Sequence, residues 1–158
     1  MKKDWWKLLV TLAASFAAAG IGSLFTINSI PTWYANLNRT FLTPPNWVFG
    51  PVWTLLYILM AIAAYLVWHQ TKDKITVKQG LVFWSEQLIL NAVWSIIFFG
   101  GHQIFLGFIT IIVLWLVILA TIVWFFRVSR LAGWLMIPYI LWVSFATLLN
   151  YSIWLVNR

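Results

Sequence analysis

The chain of 158 residues contains no cysteine, which excludes disulfides, thiolate metal sites and a cysteine nucleophile. Acidic side chains are nearly as scarce, with only Asp4, Asp73 and Glu86 present. Paired carboxylates, a Ser-His-Asp set, a P-loop and a metal motif are all missing, so a conventional hydrolase or ATPase has no support. The two histidines, His69 and His102, are expected on opposite sides of a membrane. They therefore share neither a metal ion nor the axial positions of one haem. No internal repeat is visible, and five apolar segments do not divide into equal halves, which weakens an inverted-repeat transporter reading.

What remains is overwhelmingly apolar. Hydrophobic residues make up 63% of the chain and charged residues 8%, with a mean hydropathy of +0.92. A soluble domain of this size cannot bury that much apolar surface, so lipid is its main solvent. A span needs about 20 apolar residues. Five segments qualify: Trp5–Ile27, Val48–Trp68, Leu81–Phe99, Ile104–Phe126 and Leu131–Val156. The expectation is an all-α integral membrane protein, one domain over residues 1–158. It is a bundle of five transmembrane helices with a long lid loop between helices 1 and 2.

The net charge of +7 reads as membrane-surface anchoring rather than nucleic-acid binding, because the basic residues sit at the ends of apolar runs. Lys2, Lys3, Lys7, Lys72, Lys74, Lys78, Arg127 and Arg130 fall on one side, leaving Arg39 and Arg158 on the other. This asymmetry predicts a cytoplasmic N-terminus, with the first loop and the C-terminus outside. The first segment resembles a signal peptide around Ala17-Ala18-Ala19, but its apolar run continues to Ile27 and reads as a retained span. Ala14, Ala18 and Gly22 form a small-residue stripe that lets another helix approach, within the chain or from a partner.

Thirteen tryptophans divide by position. Trp5, Trp6, Trp68, Trp124 and Trp154 lie near span ends, where indoles anchor at the interface. Trp53, Trp94 and Trp142 lie deeper. The stretch from Trp33 to Trp68 begins as a turn-rich connector. Thr43-Pro44-Pro45 stops one element, and a fresh helix starts with Pro51 in its first turn.

Intramembrane polar residues call for an explanation. Gln87, Asn91 and Ser95 share one helical stripe, as do Trp142, Ala146, Leu149 and Asn150; Trp53 and Tyr57 form an i,i+4 pair. At about 1.5 Å per residue, Trp53, Tyr57, Asn91, Trp94, Ala146 and Asn150 share one depth in the outer half of the membrane. Aromatic faces and two carboxamides at one level, beneath a long loop, suit a flat and largely apolar ligand. The plainer alternative is that the amides join neighbouring helices. Glu86 is expected to snorkel or to pair with a basic residue such as Lys78.

Three stretches, WYANL with TPPNWVFGPVWTLLY, QLILNAVWSIIFFG and IPYILWVSFATLLNYSIW, resemble the tryptophan-rich sensory protein/translocator protein (TspO/MBR, peripheral-type benzodiazepine receptor) family. The likeness covers essentially the whole chain in order. It implies a dimeric five-helix protein of the bacterial cell membrane that binds protoporphyrin IX or haem, isoquinoline carboxamides and benzodiazepines, with no required cofactor and no nucleic-acid partner. The implied lining is the lid tyrosine Tyr34, then Trp53, Tyr57, Asn91, Trp94, Trp142, Ala146 and Leu149, to which the depth argument adds Asn150. Light- and oxygen-dependent porphyrin degradation, in stress or tetrapyrrole regulation, is implied for Trp53 and Trp142. The alternatives are a transporter of porphyrin, lipid or sterol, and a sensor acting through a protein partner. Two departures stand out. Six residues separate Tyr151 from Arg158, one too many for the animal cholesterol pattern, and Glu86 replaces an expected small residue.

Overall fold

With no water in the hydrocarbon, a spanning segment must satisfy its backbone internally, and a helix does so within one segment. The computed structural model describes residues 4–38, 40–71 and 73–158. In it the five apolar segments are α1 (Trp5–Ser29), α2 (Phe49–Trp68), α3 (Lys74–Ser95), α4 (Ile104–Val128) and α5 (Arg130–Asn157). All five are long and apolar enough to cross a membrane. Among the described residues there is no strand.

The helices close into a ring in the order α1, α2, α5, α4, α3, with each packed on its two neighbours. Small residues set the close approaches. Ala18 and Gly22 are buried, and a methyl on Gly22 would lie 3.1 Å from Ser95 Oγ. Gly22, at one end of the small-residue stripe of α1, therefore meets α3 of the same chain. Higher up, Ser29 Oγ donates to the Phe99 carbonyl at 2.7 Å. A single residue, Ser129, joins α4 to α5, its Oγ accepting from the Ala132 N–H at 3.4 Å.

α3 departs from the expected span at its start. It starts at Lys74 rather than Leu81, because Asp73 caps it by accepting from Thr76. Hydrogen bonds from Thr76 hold the exposed Asp73 carboxyl below its usual range. At its other end α3 passes into a π-helical turn, Ile96–Gly100. Phe98 and Phe99, two consecutive residues of this turn, are both buried.

The rims follow the charge pattern. Trp5 and Trp6 are exposed, Trp6 meets Trp68 edge-on at 5.0 Å, and Arg127 lies 4.5 Å from the Trp124 ring. At the other end Arg158 approaches Trp154. His69 ends α2 and His102 lies between α3 and α4, at opposite ends of the bundle.

Residues 30–48 connect α1 to α2 across the end that holds His102. Trp33 stacks on His102 at 4.4 Å. The Asn38 backbone N–H donates to Asn157 Oδ1 at 2.9 Å, and Asn157 Nδ2 donates back to the Asn38 carbonyl at 3.1 Å. Thr40 and Ser152 share a hydroxyl hydrogen bond of 3.1 Å. A short 3-10 turn, Asn46–Val48, then leads into α2, with Pro51 inside its first turn. Arg39, and the Lys2, Lys3 and Lys72 of the charge argument, lie outside the described residues.

Candidate functional site

Two adjoining cavities occupy the half of the bundle beneath the connector. The inner one, about 30 Å³, is walled by Tyr34, Trp53, Trp94, Trp142, Ala146 and Leu149 together with Asn150. The second, about 500 Å³, lies between α1 and α2, with Trp53, Tyr57, Asn91 and Trp94 on its inner side. Exposed Phe16 and Ile27 on α1, and Gly50 and Thr54 on α2, mark where it opens laterally. Every predicted lining residue therefore borders one cavity or both. Phe49, Trp53, Trp94 and Phe99 line both, so the partition is made of side chains rather than backbone.

Neighbouring helices engage both carboxamides. Tyr57 OH donates to Asn91 Oδ1 at 2.7 Å, and Asn91 Nδ2 donates to the Tyr139 hydroxyl at 2.9 Å. One amide thus ties α2, α3 and α5 together. Trp94 Nε1 donates to Asn150 Oδ1 at 3.3 Å, and Asn150 Nδ2 donates to the Ile104 carbonyl at 3.1 Å. These amides orient the aromatic walls. The indole N–H of Trp142 is different, being buried without a hydrogen-bond partner. An unmet donor inside an apolar enclosure is costly; the Trp84 indole N–H and the Gln87 amide, deeper in the bundle, are buried in the same condition.

The rings interlock. Trp53 meets Tyr57 at 5.7 Å and Tyr139 at 6.2 Å. Trp94 stacks on Phe98 at 5.5 Å, and Phe49 bridges Tyr34 and Trp142 edge-on. Tyr34, from the connector, closes the top and is only 3% exposed.

Tyr139, which lines neither cavity but accepts from Asn91 and meets Trp53, is one residue that sequence reasoning missed. It is fully buried, and it follows Pro138, which has no N–H and frees the Trp134 carbonyl from its helical bond. Its position three residues before Trp142, on the same helix face, is the signal that could have found it. Phe49, Phe98 and Phe99 were missed as well; Phe98 and Phe99 lie in the π-helical turn that follows α3.

Glu86 is exposed and forms no ion pair among the described residues, so the expected pairing with Lys78 is not made. It lies two turns along α3 from that lysine, beyond contact range.

Gly107 sets how tightly α4 closes the back wall. A methyl there would lie 2.9 Å from the Phe98 ring and 3.4 Å from Asn150 Oδ1. Gly107→Ala is expected to push Phe98 into the inner cavity, costing about 1–3 kcal/mol of stability as overpacking. Thermal unfolding in detergent measures the cost, and an unchanged midpoint would show that the wall yields freely.

The sequence likeness agrees with this arrangement. Residues 9–155 match the TspO/MBR family model. The chain is 39% identical to the tryptophan-rich protein TspO of Archaeoglobus fulgidus, covering 96% of this chain and 97% of that one. It is 39% identical to protein CrtK of Rhodobacter capsulatus, over 89% and 88% of the two chains. To the human translocator protein it is 39% identical, over 94% and 88%. A match over nearly the full length, with five spanning helices in a closed ring, makes this chain an integral membrane protein that belongs to the TspO/MBR family.

Proposed function

We propose that this protein binds a flat tetrapyrrole, protoporphyrin IX or haem, in the outer half of the bundle. The observation that carries this reading is the shared aromatic partition: four rings separate a cavity of 30 Å³ from one of 500 Å³. Rotation of Phe49 and Trp53 would merge the two, giving a space in the range of small-molecule sites, about 300–1,000 Å³. The macrocycle would lie against Trp53 and Trp94, with Tyr57, Ala146 and Leu149 at its edges. The free indole N–H of Trp142 offers a hydrogen bond to a carboxylate or a ring nitrogen. Neither histidine lines either cavity, so the residues present fit a stacked macrocycle better than an iron-ligated one.

The connector acts as the lid in this reading, placing Tyr34 over the site. By the charge asymmetry it faces the outside of a bacterial cell membrane, and the working form is a homodimer. Arg39, an expected partner for porphyrin propionates, lies outside the described residues. Below Asn91 the bundle is filled by Met60, Ala64, Ile118 and Met136, all without exposed area. That filling favours a binding or sensing role over translocation through the bundle.

The test is a dark titration of the detergent-solubilised protein with protoporphyrin IX, read by tryptophan fluorescence. Saturable quenching at about one porphyrin per chain is expected. Quenching that rises linearly without saturation would overturn the reading. Absorbance under illumination then separates a photoreactive cage from a plain binding site.

A further inference from the structure

The end of the bundle farthest from the aromatic site holds a cavity of about 650 Å³ that the tetrapyrrole reading does not use. It lies between the start of α1, the end of α2 and the first half of α3. Lys7, Lys74 and Lys78 border it, and Trp68, Val82 and Ile89 form apolar wall. On α3 the order is what matters. Lys74, Lys78 and Val82 follow one another at four-residue spacing, and Ile89 continues the same face. From Lys78 to Ile89 the helix advances about 16 Å.

The three lysines are not equivalent. Lys7 is held by Asp4 at 2.9 Å and reaches toward the Trp68 carbonyl at 3.4 Å. Lys74 and Lys78 are exposed and form no ion pair among the described residues. One turn apart, their side chains are neighbours, so a single phosphate can lie between them. A free anion would need only that rim. An apolar trough continuing from it along α3 matches a molecule with a phosphate head and a hydrocarbon tail. Basic pockets between spanning helices commonly take such headgroups.

We propose that this cavity binds an anionic phospholipid, its phosphate between Lys74 and Lys78 and one acyl chain along Val82 and Ile89. Glu86 lines the same wall, and helical side chains lean toward the helix N-terminus, here the lysine rim. From about 12 Å along the helix from Lys78, its carboxylate supplies no attraction for an anionic head and only a weak repulsion. Lysines and carboxylate thus make opposite demands, which gives the proposal its test.

The experiment measures retention of phosphatidylglycerol against phosphatidylcholine of equal chain length, by native mass spectrometry of the full chain released from mixed micelles. The wild type is expected to prefer phosphatidylglycerol. K74Q/K78Q should reduce that preference by about fivefold for each lysine removed, while K74R/K78R retains it. E86Q should hold or raise the preference. Excess inorganic phosphate should not displace the lipid; displacement would make this a simple anion site. A preference untouched by K74Q/K78Q, or lowered by E86Q, would overturn the proposal. Dark protoporphyrin binding, at the other end, serves as the folding control and should not change.

Discussion

Replacing Trp53 and Trp142 together by phenylalanine is expected to remove light-dependent porphyrin loss and to weaken dark binding about tenfold. Trp53 stands in the partition between the two cavities, and Trp142 closes the smaller one with a buried N–H that has no partner. Phenylalanine keeps a ring in each place but gives up indole area and that one donor. Each aromatic contact is worth about 0.5–1.5 kcal/mol beyond its area, and a loss of about 1.4 kcal/mol overall is tenfold in affinity. The fold should survive, because neither indole N–H makes a bond that the change would break. Dark affinity is read from porphyrin fluorescence, and photochemistry from the porphyrin band under illumination in air. Unchanged light-dependent loss would exclude these two indoles from the chemistry.

Asn91→Ala is expected to destabilise the bundle by unpairing two buried tyrosines at once. The amide is 2% exposed and bridges two buried tyrosine hydroxyls on different helices. Its removal leaves both hydroxyls buried and unmet, at about 1–3 kcal/mol for such a group. Hydrogen bonds between membrane helices average less, about 0.6 kcal/mol, because the alternative state also finds partners. A net cost of about 2 kcal/mol is the expected outcome, or a thermal midpoint about 4–8 °C lower for a chain of this size. Asn91→Leu combined with Tyr57→Phe and Tyr139→Phe should recover most of it, since no polar group is then orphaned. If Asn91→Ala unfolds at the wild-type temperature while porphyrin affinity falls, the amide serves the ligand rather than the bundle.

These two outcomes separate what the polar and the aromatic residues contribute. Asn91 and Asn150 spend their hydrogen bonds on Tyr57, Tyr139, Trp94 and the Ile104 carbonyl. They fix the angle of the rings, so in the tetrapyrrole proposal contact with the ligand falls to the rings themselves and to Trp142. The interhelical role and the pocket role, alternatives from sequence, are here joined: the amides hold the walls, and the walls face the cavities.

Depth along the helices is legible in the sequence. A rise of about 1.5 Å per residue and a fixed span order put Trp53, Tyr57, Asn91 and Asn150 at one level. Helix count, the apolar periphery and the aromatic rims also follow from the sequence, because lipid allows few ways to satisfy a backbone. So does the distribution of charge: among the described residues Lys7, Lys74, Lys78, Arg127 and Arg130 lie at one end and Arg158 at the other. These are one-dimensional properties: each depends on position along a helix.

Rotation about the helix axes and the order of helices round the ring were decided only by tertiary packing. That Gly22, at one end of the small-residue stripe, meets α3 is set by Ser95 lying 3.1 Å from a methyl there. Tyr139 entered the site because α5 packs on α2 and turns that face inward. The helix after Ser95 widens into a π-turn that holds the buried Phe98 and Phe99, a change of pitch that apolar periodicity does not encode. The cavities themselves arise from gaps among five helices, and hydrophobicity reports depth without reporting gaps. The sequence by itself determined what lies at each level; the ring of helices decided which of those groups meet.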